Sequence, residues 1–176
     1  MDREVHNLIN NIAEDIIQSF NITIPIENID DVVQKLGGSI EVDSRLFECK
    51  VLKRDKRFRI IIPLFQNEKH RRFAIGQELG HLFLHMGYLT SNKLWDRQLD
   101  NTRLGLSNAE QAYQSNEFAM AFLMPRAEYK RVLDENTVGT KVDTRSVAEY
   151  FGVRIAIASL RGQSLGYFFC ILHITE

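Results

Sequence analysis

The sequence predicts an α+β domain. Apolar residues recur at three- and four-residue spacing near the N-terminus and again after residue 67, which is the period of amphipathic helices. Between residues 39 and 62 the pattern changes to short alternating or apolar segments bounded by Gly, Asp and Pro, as strands require. The chain has 176 residues, 44% hydrophobic and 26% charged, a natural size for one core with a small appendage.

Val5, Leu8, Ile9, Ile12, Ile16, Ile17 and Phe20 share a face and place a helix over Arg3 to Phe20. Asn21 to Ile26 is extended around Pro25. Ile29, Val32, Val33 and Leu36 form one face of a second, short helix, closed by Gly37-Gly38. Ser39 to Asp43 alternates as a strand. Phe47 to Leu52 and Arg57 to Ile62 make two more across a turn at Arg54-Asp55-Lys56, and Pro63 ends the last. Asn67 to Met86 is the third helix. Residues 87–106 lack a period and form a long loop around the single tryptophan, Trp95. Ser107 to Leu123 is a fourth helix, and Pro125 opens a fifth that runs to about Glu135. Thr144 to Phe151 and Arg154 to Arg161, parted by Gly152-Val153, have the outline of a helix-turn-helix, and Tyr167 to Ile174 is strand-like. The expected organisation is a core over residues 1–135 and a helical appendage over 136–176.

Twenty-two Lys and Arg against 23 Asp and Glu give a net charge of −1, so no global field steers the chain to nucleic acid or membrane. Two cysteines, Cys49 and Cys170, are too few for a disulfide framework. The first residues lack the apolar stretch of a signal peptide, and Leu165 to Leu172 is far short of the ~20 residues of a membrane span. The expected location is the cytoplasm.

The segment from Arg72 to His85 carries the chemistry. Two imidazoles at i and i+4 on a helix grip one metal, and a Glu after the first acts as general base. Here Glu78 stands at the base position and His81 at the second ligand position, but the first ligand position holds Gln77. His81 and His85 repeat the i, i+4 spacing one turn later, so a displaced metal site at His85 and a packing or hydrogen-bonding role for His85 both remain open. His6, His70 and His173 have no partner at ligand spacing and read as surface residues.

Arg72-Phe73, Glu78-Leu79-Gly80-His81, the run Asn116-Glu117-Phe118-Ala119 with Leu123-Met124-Pro125, the Leu36-Gly37 helix end and Tyr150-Phe151-Gly152-Val153 together resemble the ImmA/IrrE family of zinc-metallopeptidase-like proteins. The resemblance covers nearly the whole chain. It implies a minimal zincin-like, thermolysin-like domain with a small antiparallel or mixed sheet and a C-terminal helix-turn-helix-like pair. It also implies zinc in active members, and a transcriptional repressor as substrate or partner.

The family's third ligand, four residues before Asn116, falls on Ala112. Two of the three ligand positions are thus Gln77 and Ala112. An amide oxygen is a poor zinc donor and a methyl group is none, so the expectation is no bound zinc and no catalysis. Glu110 lies about 200° around the helix from a residue at 112 and fits a capping box with Ser107. Glu117 points off the site face. Two other functions remain open: an active zinc peptidase with displaced ligands, and a DNA-binding regulator acting through the C-terminal helices. Against DNA reading, the second of those helices is mostly Ile, Ala and Leu, with Arg154 and Arg161 its long polar residues. The basic cluster Lys50, Lys53, Arg54, Lys56, Arg57 and Arg59 reads as a charged hairpin edge sooner than a phosphate patch.

Overall fold

A computed structural model describes residues 2–65, 67–98 and 109–167. Helix α1 (Arg3–Ser19) starts where the Asp2 carboxylate accepts from the Glu4 amide, and it buries Ile9, Ala13, Ile16 and Ile17. Helix α2 (Ile29–Lys35) is capped in the same way by Asn28. Strands β1 (Gly38–Val42), β2 (Lys50–Arg54) and β3 (Arg57–Ile62) follow. Their order is β1-β3-β2, with β1 parallel and β2 antiparallel to β3. Phe58, Ile60 and Ile62 on the central strand are buried.

The second strand begins three residues later than the sequence suggests. Phe47 is 98% exposed, so its apolar character marks no buried face. The hairpin turn is tighter too. Arg54 pairs with Arg57, and Asp55 takes the left-handed conformation (φ 54°) that a short polar side chain tolerates.

Helix α3 (Glu68–Gly80) is capped by Asn67, whose side chain accepts from the His70 amide. It gives way to a π-turn at His81–His85, where the Met86 amide reaches back five residues to the His81 carbonyl at 3.0 Å. The single long helix expected to Met86 is therefore two helical forms end to end. The expected loop after it contains helix α4 (Asn92–Arg97), whose Trp95 packs edge-on to Tyr88 in the core. Lys53 donates to the carbonyls of Trp95 and Gln98 at the α4 C-terminus, where a cation is favoured.

Helices α5 (Ala109–Leu123) and α6 (Arg126–Glu135), a short β4 (Thr137–Val138) and β5 (Lys141–Val142) hairpin, α7 (Thr144–Tyr150) and α8 (Ile155–Ser164) complete the described chain. The α7–α8 pair adds Val147, Ala148, Phe151, Val153 and Ala158 to the same apolar cluster that α1, α3 and α5 fill. Tyr129 on α6 donates to the Ala158 carbonyl at 2.7 Å. Arg72 near the start of α3 holds the carbonyls of Ile26 and Glu27 and reaches the Phe151 carbonyl. No described helix is long and apolar enough to cross a membrane.

Beneath α5 lies a buried charge junction. Glu117 (1% exposed) accepts from Arg161 (0%) at 3.0 Å, from Asn10 at 3.0 Å and from Ser164 at 3.3 Å. His6 sits 3.0 Å from the same carboxylate oxygen, so it belongs to this junction and not to the open surface. Arg161 also donates to the Met124 carbonyl, and burial pulls its pKa down to about 10. The sequence reading of Glu117 as off the site face holds. Arg161, one of the two long polar residues of the second C-terminal helix, is not presented to solvent, because its guanidinium is spent inside the core. His173, Ser107 with its capping box, and the strand expected beyond Tyr167 lie outside the described residues.

Candidate functional site: the cleft between helices α3 and α5

Helices α3 and α5 run antiparallel and touch where side chains vanish. A Cβ on Gly76 would sit 3.2 Å from the Ala119 methyl, and one on Gly80 would sit 2.9 Å from the Ser115 Cα. These two contacts set the register. Gln77 comes level with Asn116, and Ala112, one turn earlier on α5, comes level with His81. The structure thus brings the residues of the family motif to one cleft, each of them half-buried.

The Gln77 amide is tied down, its Nε2 donating to Asn116 Oδ1. His81 faces its neighbour one turn on: His81 Nδ1 and His85 Nδ1 are 2.9 Å apart, a pairing that the π-turn's wider spiral stacks directly. His85 Nε2 lies 3.0 Å from Gln114 Oε1, and Gln114 Nε2 donates to Glu110 at 3.2 Å. Burial pushes His81 down to about 4, with the His85 charge adding to it. It lowers His85 too, against the opposing effect of the hydrogen bond to Gln114 Oε1. Across the cleft, burial raises the Cys49 thiol to about 12, and the negative charge of Glu78 contributes next.

Sequence reasoning missed Asn116 as the partner of Gln77, the Gln114–Glu110 extension, and Cys49 opposite Glu78. The first two stood in plain view as polar residues four apart or adjacent on α5. Cys49 carried no such signal, since nothing in its local sequence places it near Glu78.

As a zinc site of the family's kind the donor set fails. Position 112 offers a methyl group, the Gln77 amide bonds to Asn116, and His81 Nδ1 bonds to His85. Among the described residues no three His, Cys, Asp or Glu side chains converge as a metal cluster.

A family model described as the IrrE N-terminal-like domain, a peptidase family, matches residues 32–161. No curated protein matches the chain. Among solved structures the chain is similar to a Mycobacterium tuberculosis transcriptional regulator, with a TM-score of 0.55 and 15% sequence identity. The likeness covers 94% of this chain and 48% of that one, so the chain spans about half the length of that structure. At such identity the likeness is one of fold. The matched span includes α3, the π-turn, α5 and the buried Glu117–Arg161 pair, and on that ground the chain belongs to the ImmA/IrrE family of zincin-like proteins.

Proposed function

We propose that this chain is a catalytically inactive ImmA/IrrE member that binds a transcriptional repressor-type protein through the α3–α5 cleft. The observation that carries the reading is the bond from Gln77 to Asn116 beside Ala112, which leaves His81 alone of the family's three metal donors. Glu78 keeps the base position, but a carboxylate in that place needs an acidified water to deprotonate. What remains is a set of half-buried polar side chains along two packed helices, to which a segment of a partner would bind. The burial of Arg161 leaves the α7–α8 pair with Arg154 as the long polar side chain at the start of its second helix, which supports protein binding over DNA reading.

Elemental analysis after purification without chelator tests the inactive reading. The unmodified chain and Gln77→His are expected to carry no stoichiometric zinc. Gln77→His combined with Ala112→Glu is expected to gain it, because two imidazoles and a carboxylate then surround the site. Near-stoichiometric zinc in the unmodified chain overturns the proposal. It would favour the second reading, an active peptidase with ligands displaced to His81 and His85, which their 2.9 Å separation suggests. Affinity capture from the native cell that never enriches a DNA-binding regulator counts against the repressor.

A further inference from the structure

The alternation of β2 and β3 sorts the basic hairpin into two sets. Lys53 opposes the buried Phe58, and its ammonium is taken up by the Trp95 and Gln98 carbonyls. Arg54 directly opposes Arg57 on the other face, and Arg59, two residues on, shares that face. In β1, Ser39 is the parallel neighbour of Arg59, and Glu41 accepts from Arg59 Nη1 at 2.7 Å.

Arg54, Arg57 and Arg59 line one open hollow of about 480 Å³, which β1 and its Gly37-Gly38 lead-in close on the far side. That volume falls within the ~300–1,000 Å³ of small-ligand sites. Opposed residues on paired strands stand about 5 Å apart, and same-face neighbours along a strand about 7 Å, so three guanidinium groups on flexible stems reach one ligand. Three guanidiniums against the one carboxylate of Glu41 give the lining two positive charges in excess, in a chain whose net charge is −1. The turn residues Asp55 and Lys56, outside the lining, cancel each other. Like charges directly opposite on paired strands repel, yet Arg54 and Arg57 are so placed, and both are exposed. An anion seated between them offsets that repulsion.

From this we infer that the hollow binds a phosphate monoester, the terminal phosphoryl group of a small molecule, on Arg54, Arg57 and Arg59. Such a group carries about −1.5 to −2 charges at pH 7 and three strong acceptor oxygens. It therefore matches the excess charge of the lining and gives each guanidinium an oxygen to pair with. A carboxylate brings one charge and two oxygens, and a nucleic-acid backbone phosphate brings one charge. Glu41 is a positioning residue that holds Arg59 in the wall. The site shares no residue with the α3–α5 cleft and goes beyond the function proposed above.

Amide NMR of the full chain at constant ionic strength tests it, with methyl phosphate as the probe. Saturable shifts are expected at Ser39, Arg57 and Arg59, with Gln77 and His81 unmoved. Dimethyl phosphate, a monoanionic diester, and acetate are expected to bind about tenfold more weakly or worse, having one charge to offer. Arg54→Gln and Arg57→Gln, both at exposed positions and checked for an otherwise unchanged spectrum, should each weaken methyl phosphate about tenfold, as loss of a charge-assisted bond does. Lys56→Gln removes the same charge beside the hollow and should leave the affinity nearly unchanged. A loss from Lys56→Gln equal to that from Arg57→Gln would reveal a diffuse field and overturn the inference. So would dimethyl phosphate or acetate binding as tightly as methyl phosphate, or a failure of methyl phosphate to saturate. A DNA duplex that shifts Arg57 and Arg59 while methyl phosphate does not would also overturn it, in favour of a nucleic-acid backbone.

Discussion

Asn116 and Glu117 are neighbours on one helix, yet they serve polar clusters of opposite kinds. Asn116 looks toward α3, into a half-buried cleft of amides, imidazoles and one carboxylate. Glu117 looks toward α1 and α8, where a full ion pair is sealed from water with Asn10, Ser164 and His6 around it. The cleft holds Gln77 and Ala112 within the same fold, and its half-buried polar groups keep access to water. The junction has no such freedom. A charge at 1% exposure must have its partner, and its partner is 44 residues away on α8. The same helix thus holds one cluster that can change its chemistry and one that cannot.

The largest expected effect lies at the junction. Arg161→Met leaves Glu117 buried without its cation and should cost about 3–5 kcal/mol in urea unfolding. Adding Glu117→Leu should recover most of that loss, since replacing both charges removes the desolvation penalty. A double variant as unstable as the single would show that the ion pair itself supplies the stability.

Between the two clusters lies the glycine seam. Gly80→Ala drives a methyl to 2.9 Å from the Ser115 backbone, which cannot swing away, and should cost about 1–3 kcal/mol. At Gly76 the neighbour is the Ala119 methyl at 3.2 Å, so Gly76→Ala should cost clearly less, and its gain in helix propensity offsets part of it. Equal thermal shifts for the two would contradict the backbone contact at Gly80.

The smallest effect belongs to the cleft, as a dependence on pH. His81 titrates near 4 in the folded chain, below the ~6.5 of an unfolded imidazole. Between those values the unfolded chain binds a proton that the folded chain refuses, so stability rises with pH across the window and falls as pH drops through it. His85 acts in the same direction. Glu14 and Glu128, lowered by Arg126 and Arg131, lose their stabilisation only below their ordinary range, so the span from about 6.5 to 4.5 isolates the imidazoles. A His81→Gln variant should show a shallower slope there. An unchanged slope would place the titration elsewhere.

Much of this was legible in the sequence. Helices α1, α2, α6 and α7 are found within a few residues of where their periodicity puts them, because each buries one apolar stripe and has a cap or breaker at its end. The residues Gln77, Glu78, His81, Ala112 and Asn116 come from two short motifs, which lie on the adjoining helices α3 and α5. Long-range pairing was not legible. The parallel match of β1 with β3 and the meeting of His6, Asn10, Glu117 and Arg161 depend on tertiary geometry that leaves no local period. The turn from α to π geometry was hidden as well, since His81-Leu82-Phe83-Leu84-His85 satisfies either spiral.

That π-turn amounts to a phase shift written into the helix. A π-turn is the shape an α-helix takes when one residue is inserted without disturbing what lies on either side. Everything up to Gly80 keeps step with α5, and everything after His85 is advanced by one position relative to an unbroken helix. Taking one residue back out of Leu82–Leu84 would restore an α spiral and swing the following side chains by roughly 100°. His85 would leave His81, and Met86 and Tyr88 would leave the core positions they now fill. The length of this five-residue stretch therefore matters as much as its composition. A substitution here acts on one side chain at a time, whereas a single deletion would shift every residue that follows.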